Sequence, residues 1–204
     1  AERIGGAEVT ERLRQLLRSA LATDSAAGAD RILEITVEYL KVRQQFGQPI
    51  GKFQALKHRA ADLLVEVQGA AATAQYAVKA LVDGDEDVDT ITTMAKAVAA
   101  DAYYATAADA IQLHGGIGFT WEHDAHLHLR RAVVLRQLVG GGAAGRTAVA
   151  RAALSGVRRH LRLALPPSAE SVRAEIAAVV DAVAALPKAE RRRPLADAGL
   201  IVPH

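Results

Sequence analysis

The sequence predicts an all-α protein, an up-and-down four-helix bundle followed by one extra helix near the C-terminus. Apolar residues recur at intervals of three and four along most of the 204 residues, which is the spacing of one helix face. Half of the residues are apolar but only 4% are aromatic, so the core consists mainly of Ala, Leu, Val and Ile. Small side chains let helices approach closely, and this favours a bundle over a large sandwich.

Three long helices are predicted first. Residues 10–45 form one, which the glycines and proline of residues 47–51 end in a tight loop. The second covers residues 53–81, where the apolar intervals alternate between three and four. An acidic turn at residues 83–89 places carboxylates at the start of the third helix, where the helix dipole favours them. That third helix covers residues 88–113 and ends at a glycine pair.

Two shorter helices complete the predicted bundle, and one helix follows it. The shorter helices cover residues 125–138 and 143–161, and three glycines at residues 140–142 separate them. After a proline pair, residues 168–186 form the extra amphipathic helix, with Ser168 as its N-cap. Further prolines make the end of the chain loop-like.

Composition and charge exclude several classes of function. The net charge is +2 and the basic residues are scattered, so no nucleic-acid-binding surface is predicted. The chain has no cysteine, which excludes disulfides and thiolate chemistry and fits a cytoplasmic location. No stretch approaches 18 consecutive apolar residues, so no membrane span is expected. The first residues lack a signal peptide and an initiator Met, so we expect a fragment of a longer chain.

A histidine cluster is the strongest candidate for a metal site. His123 and His126 share a helix face, but His128 points elsewhere and no carboxylate completes a first coordination shell. We therefore interpret the three histidines as polar residues of a loop and a helix start, and we predict no metal.

Two segments carry the parts that a phosphate-containing cofactor needs. In residues 37–58, Arg43 can make a forked contact to a diphosphate, and Phe46 can cover a flat ring. In residues 110–132, a glycine pair lets a ligand approach the backbone, and Gln112 supplies a neutral donor. Two simpler interpretations stay open, because an arginine at a helix end also caps carbonyls and a glycine pair often only ends a helix.

The two segments resemble the signature stretches of the acyl-CoA dehydrogenase family over roughly residues 5–162. The pattern RxxFGxxIxxFQ falls on Arg43, Phe46, Gly47, Ile50, Phe53 and Gln54. The pattern QxxGGxGF falls on Gln112, Gly115, Gly116, Gly118 and Phe119. The resemblance implies that residues 10–162 are the family's C-terminal four-helix bundle and that residues 1–9 are the remnant of its middle domain.

The resemblance also implies FAD as the cofactor. In the family, the arginine of the first pattern reaches the FAD diphosphate of the neighbouring subunit, and the second pattern approaches the adenosine part. Carried over, the cofactor contacts are Arg43, Gln45, Phe46, Gln54, Gln112, Leu113, His114, Gly115 and Gly116. For Phe46 and Gln54 a packing role in the turn is the alternative.

The chain departs from the family at the catalytic position. Val139 stands where the family has its catalytic Glu, and Gly141 and Ala143 replace the following Thr and Gln that meet the neighbour's cofactor. A carboxylate is needed there to remove the α-proton of the acyl thioester while hydride leaves the β-carbon. Valine has no lone pair, so we predict no catalytic residue in this chain.

No other residue of the first helix takes over as the base. Some family members carry the Glu on this helix, at a position that aligns with Leu17 here. Glu34 and Glu38 align with ordinary surface positions. We therefore expect the 204 residues alone to be inactive.

This pattern of retained and lost residues implies the non-catalytic partner of an unequal pair. We expect a dimer or tetramer of dehydrogenase-like units, with the acyl-CoA bound mainly by the partner half or subunit. Residues 163–204 resemble a linker and the opening helix of a second dehydrogenase-like half, through the LADAGL segment at 195–200. The Ala- and Arg-rich composition resembles that of high-GC bacteria, where such enzymes act on steroid side chains. A flavin-free structural or assembly module and an acyl-CoA oxidase are the alternatives.

Overall fold

A computed structural model describes residues 6–157 and 166–201. The chain divides into two compact units after residue 158, and each unit is described by itself. The first unit contains the helices α1 (Ala7–Val42), α2 (Gln54–Asp83), α3 (Val88–His114), α4 (Ala125–Gln137) and α5 (Gly142–Leu154). The predicted all-α class is confirmed.

The segment between α1 and α2 differs from the prediction. The helix ends at Val42 because Arg43 adopts extended backbone, with φ −66° and ψ 124°. Strands β1 (Gln44–Gln45) and β2 (Gln48–Pro49) then pair antiparallel, and a 3-10 turn at Ile50–Lys52 leads into α2. The prediction of helix through residue 45 was therefore wrong, because a short hairpin begins immediately after Arg43.

The start of α1 and the end of α5 also differ from the predicted bounds. Helix α1 begins at Ala7, so residues 7–9, predicted as a remnant of a middle domain, belong to α1. Helix α5 ends at Leu154, and Gly156 follows with a positive φ of 92°. The predicted end of this helix at residue 161 and the predicted domain boundary at residue 163 lie outside the described residues.

Helix α3 is the central helix of the unit and packs against α1, α2, α4 and α5. Ion pairs tie it to the surrounding helices: Arg18 with Asp89, Arg59 with Asp109, and both Arg136 and Arg146 with Asp101. Most of these side chains are partly exposed, so each pair contributes only about 0–1 kcal/mol. Their main effect is to fix how the helices are aligned along their axes.

The core has the small-residue composition that the sequence predicts. One cluster is built mainly from alanines of α1, α2 and α3, and another contains larger residues around Ile32, Leu63 and Tyr103. Contacts between alanines bring helix backbones close together, as ridge-and-groove packing with small side chains allows.

Gly28 of α1 packs directly against Tyr103 of α3. Tyr103 is fully buried, and a Cβ added to Gly28 would lie 2.5 Å from its Cζ atom. The Tyr103 hydroxyl is 2.9 Å from Nδ1 of His128 on α4. A glycine in the middle of a helix costs stability, but here it is the residue that leaves room for the buried ring.

The second unit contains one long helix and one short helix. Helix α6 covers Pro167–Ala184 and helix α7 covers Arg192–Asp197, with a 3-10 turn at Lys188–Glu190 between them. Pro166 is the N-cap of α6, so the prediction of Ser168 as N-cap was wrong. A proline at the first helical position suits this start, because its missing N–H would have no partner there. Within residues 166–201, the predicted loop-like end therefore contains a further helix.

Two histidines of the first unit have a pKa below the ordinary value of histidine. Burial lowers the pKa of His114 and the neighbouring His123 lowers it further, while the hydrogen bond that Nδ1 donates to the Ala110 carbonyl at 2.7 Å acts in the opposite direction. Burial also lowers the pKa of His128; Arg31 and Arg131 act in the same direction, while Asp124 and a hydrogen bond to Gly28 oppose them. Protonation of either ring is therefore less favourable in the folded protein than in the unfolded chain.

We predict that the free energy of unfolding falls as the pH is lowered below the histidine pKa of the unfolded chain, about 6.5. The stabilising contribution of each neutral ring is complete above that value and is lost as the pH falls toward the lowered pKa of the folded state. The slope reaches at most about 1.4 kcal/mol per pH unit for each histidine. Urea unfolding at pH 7.5, 6.5 and 5.5 measures it. A His128→Gln variant should show a shallower slope, and equal slopes for both proteins would contradict the prediction.

Gly28→Ala should destabilise the bundle by about 1–2 kcal/mol, although alanine is the better helix former. The added Cβ overlaps the ring of Tyr103, and overpacking of a core costs about 1–3 kcal/mol. Gly69→Ala is the matched control, because an added Cβ at this helical position meets nothing within 4 Å. It should stabilise by about 0.5–1 kcal/mol. Urea unfolding of both variants checks the opposite signs.

Candidate functional site

The end of α1 presents Arg43 to solvent. Its backbone is held at two points: its N–H donates to the Tyr39 carbonyl at 2.9 Å, and its carbonyl accepts from the Ile50 N–H at 2.8 Å. Its side chain is exposed, and no described residue forms an ion pair or hydrogen bond with the guanidinium. The guanidinium has five N–H donors without a partner among the described residues, and its backbone is fixed. Both properties suit the binding of a diphosphate.

The hairpin that follows carries an exposed aromatic side chain in an unfavourable backbone conformation. Phe46 and Gly47, the two turn residues, have φ of 53° and 76°. Positive φ at both positions is the requirement of a type I′ hairpin, and it is uncommon for a bulky residue. Phe46 is 90% exposed and touches Phe53 edge-on, with 6.0 Å between ring centroids. The ring is therefore accessible from solvent and has an edge-on contact with Phe53.

Two predicted glutamines lie in the same region. Gln45 is exposed in β1, opposite Gln48 of β2. Gln54 is the exposed first residue of α2, and the N-cap of that helix, Phe53, makes no side-chain capping bond. Both residues are therefore exposed to solvent in the segment that begins at Arg43.

The second predicted segment ends α3 and mixes exposed and buried residues. Gln112, Gly115 and Gly116 are exposed, and Gly115 has φ 64° and ψ −138°, which favours glycine. The side chains of Leu113 and His114 are buried, at 8% and 2% exposure. These two residues can meet a ligand only through their backbone.

Contacts of His114 bring the two predicted segments to the same end of the bundle. Its ring lies 4.6 Å from that of Tyr39, near the end of α1, and 4.1 Å from that of His123. Its Nε2 is buried and has no partner among the described residues. We call the surface formed by residues 43–54 and 112–119 the hairpin end.

The opposite end of the bundle carries the loop between α4 and α5, residues 138–141, which we call the glycine loop. Val139 has φ 56°, a rare conformation for a β-branched side chain. It lines a cavity of about 170 Å³ together with Arg18, Lys96 and the small residues Gly141 and Ala144. Asp89 lines the same cavity and is held in an ion pair with Arg18.

Buried Lys96 was not predicted from the sequence as a functional residue. It is 3% exposed, and its Nζ donates to the carbonyls of Arg136, at 2.9 Å, and Gly140. Burial lowers its pKa, and nearby Arg136 and Arg18 lower it further, against the effect of Asp101. The sequence contains one signal for an unusual role of Lys96: this charged residue falls on the apolar stripe of α3, between Thr92 and Ala99.

The remaining sequence candidates have ordinary surroundings. Glu34 pairs with Arg31, and Glu38 with Lys41 at 2.6 Å, all on the exposed face of α1. Leu17 is 47% exposed.

The three histidines of the predicted cluster make separate contacts. His123 accepts from the Ala125 N–H at 3.0 Å, and His126 lies 2.8 Å from the His123 carbonyl. His128 bonds to Tyr103. Among the residues that the structure describes, no three His, Asp or Glu side chains gather as metal ligands would.

Within the same ranges, no helix combines the length and the apolar character needed to cross a bilayer.

Comparison with known proteins assigns the fold. The family model "Acyl-CoA dehydrogenase, C-terminal domain" matches residues 5–154. FadE34, an acyl-CoA dehydrogenase of Mycobacterium tuberculosis, is 44% identical over 195 residues, which are 95% of this chain and 27% of FadE34. FadE34 is therefore about 720 residues long.

Solved structures also match the fold of this chain. Butyryl-CoA dehydrogenase from Megasphaera elsdenii superposes with a TM-score of 0.70 at 26% identity, over 76% of this chain and 40% of that one. The ChsE4–ChsE5 complex from Mycobacterium tuberculosis superposes with a TM-score of 0.70 at 28% identity, over 74% of this chain and 41% of that one. The chain thus spans between a quarter and two fifths of these relatives. With the family model matching most of its length and the helices superposing, the chain belongs to the acyl-CoA dehydrogenase family and carries the C-terminal helical domain of that family.

Proposed function

We propose that this chain is the non-catalytic bundle of an FAD-dependent acyl-CoA dehydrogenase. In this proposal Arg43 contributes to the binding site of a flavin that is held mainly by another unit. The whole enzyme would remove hydrogen from the α- and β-carbons of an acyl-CoA thioester, and FAD supplies the hydride acceptor for that chemistry. The observation that carries the proposal is the guanidinium of Arg43, which is exposed, positioned by its backbone and unpaired among the described residues.

The hairpin end has the chemistry that FAD requires. The fork of Arg43 matches a diphosphate, and exposed Gln45, Gln54 and Gln112 offer neutral donors. Gly115 and Gly116 are exposed and have no Cβ, and an added Cβ at either would meet nothing within 4 Å. There is thus open space for a ligand to approach this backbone. Phe46 offers a flat apolar surface for a ring.

The glycine loop lacks the group that would remove the α-proton. A general base must come within hydrogen-bonding distance of the proton that it takes. Val139 has no basic atom, and Asp89, the carboxylate that lines the same cavity, is paired with Arg18. We therefore propose that the base belongs to a partner half or subunit, which also binds most of the acyl-CoA.

The length of α1 supports different roles for the two ends of the bundle, each toward a different unit. Arg18, at the cavity beside Val139, and Arg43 are 25 residues apart, or about 37 Å at 1.5 Å per residue. A diphosphate at Arg43 and a reacting carbon at the glycine loop would lie at opposite ends of the bundle. In our proposal the two ends therefore face different active centres of a dimer or tetramer.

We propose that residues 163–204 connect this bundle to a second dehydrogenase-like half in the same chain. The match to FadE34 extends beyond the family model, over 95% of this chain. Butyryl-CoA dehydrogenase, from the shares covered, has about 390 residues, so FadE34 is almost twice as long. These lengths support residues 163–204 as the linker and opening helix of a second dehydrogenase-like half.

A flavin-free assembly module is the second candidate. Val139, Gly141 and Ala143, where the family pattern has Glu, Thr and Gln, favour it. Under this alternative the intact protein assembles without FAD, and its oligomeric state does not respond to added FAD.

Arg43→Ala should weaken FAD binding by the intact protein about 10- to 150-fold. The substitution removes a charge-assisted hydrogen bond worth about 1.5–3 kcal/mol. Fluorescence titration of the apoprotein with FAD measures the change. Arg43→Lys should recover only part of the affinity, since a lysine cannot bind bidentately.

Arg14→Ala is the matched control for Arg43→Ala, because Arg14 is an exposed arginine near the other end of the same helix. Its FAD affinity should stay within about twofold of the wild type. Unchanged FAD retention in Arg43→Ala would refute the assigned role.

The 204 residues alone should show no acyl-CoA dehydrogenation, even with added FAD, because the chain supplies no base at the glycine loop. Reduction of an artificial electron acceptor with a series of acyl-CoA thioesters measures turnover. The intact protein serves as the positive control. Turnover by the 204 residues would contradict the assignment of Val139 to the catalytic position.

A further inference from the structure

Lys96 is a buried cation whose charge has no carboxylate partner in the part of the chain that the structure describes. It is 3% exposed, and no Asp or Glu of the described ranges lies within ion-pair distance of its Nζ. Its two hydrogen bonds go to neutral backbone carbonyls, those of Arg136 and Gly140. An ammonium has three donors, so one N–H remains for a further acceptor.

The neighbouring cations are already compensated. Arg18 pairs with Asp89 and, at 3.5 Å, with Glu11. Arg136 and Arg146 share Asp101. Lys96 therefore adds positive charge to a region in which the carboxylates are engaged, and a buried unpaired charge is costly. An additional anion beside Lys96 would reduce that cost.

The cavity beside Lys96 has room for such an anion. Its volume of about 170 Å³ exceeds several times the roughly 30 Å³ that a water molecule occupies in the liquid. Small residues of the glycine loop and α5, including Ala144, Gly145 and Ala148, leave this space open. Thr93 adds a hydroxyl that can donate a hydrogen bond.

We propose that this cavity is a binding site for a small carboxylate, whose oxygens accept from the Lys96 ammonium and the Thr93 hydroxyl. A monoanion fits better than a phosphate dianion, because the carboxylate of Asp89 also lines the cavity. This inference concerns the end of the bundle opposite Arg43, and it holds whether or not the chain contributes to a flavin site.

Calorimetric titration of the intact protein with sodium acetate tests the proposal. Sodium chloride and sodium phosphate at matched ionic strength are the comparison salts. We expect saturable binding of acetate, and Lys96→Met should weaken it at least about tenfold, since a charge-assisted hydrogen bond is lost. Lys79→Met is the matched control, because Lys79 is exposed and pairs with Asp83, away from the cavity; its acetate affinity should be unchanged.

A second variant keeps the test decisive if Lys96→Met does not fold. Ala144→Leu fills the cavity and leaves every charge in place, and it should also weaken acetate binding at least about tenfold. Ala143→Leu, one residue earlier and not part of the cavity lining, is its control and should bind acetate like the wild type. Equal responses to all three salts, or undiminished acetate binding in Ala144→Leu, would overturn the proposal.

Discussion

The close contact of α1 with α3 determines where the chemical groups of this bundle lie. The contact depends on Gly28, because any side chain at that position would overlap the buried ring of Tyr103. It runs the length of both helices: Arg18 pairs with Asp89 near one end, and the ring of Tyr39 meets that of His114 near the other. Two rigid helices of 36 and 27 residues therefore separate the hairpin end from the glycine loop. Neither end can move toward the other without breaking this packing.

The sequence was a good guide to the helices and a poor guide to the segments between them. Periodic apolar residues predicted α2 and α3 to within one or two residues at each end, because a long amphipathic stripe has few alternatives. The hairpin after Arg43 was missed, because two-residue strands are too short to show an alternating pattern. Ser168 was predicted as an N-cap from its residue type, but Pro166 already ends the extended chain and Pro167 starts the helix.

The same limit applies to the candidate site. Motif spacing could name Leu113 and His114 but could not tell that their side chains face the core, since burial depends on how α3 packs. The one sequence signal for Lys96, its place on the apolar stripe of α3, did not reveal its role, because that role depends on which groups surround it. Its two carbonyl acceptors lie 40 and 44 residues further along the chain. Local sequence patterns carry no information about contacts at that separation.

A strained backbone conformation occurs at each end of the bundle. Phe46 and Val139 are the non-glycine residues with positive φ in the described ranges, and each lies at one of the two ends. Such conformations cost roughly 1–3 kcal/mol each and persist where surrounding structure enforces them. At Phe46 the strained turn carries an exposed ring in the segment where we propose that the flavin binds. At Val139 the loop keeps a demanding backbone conformation around a side chain that has no chemistry to offer. Glycine or asparagine would adopt this conformation at a lower cost than valine. In our proposal the glycine loop therefore keeps the shape of a site whose reactive group has been replaced, and the base comes from a partner half or subunit.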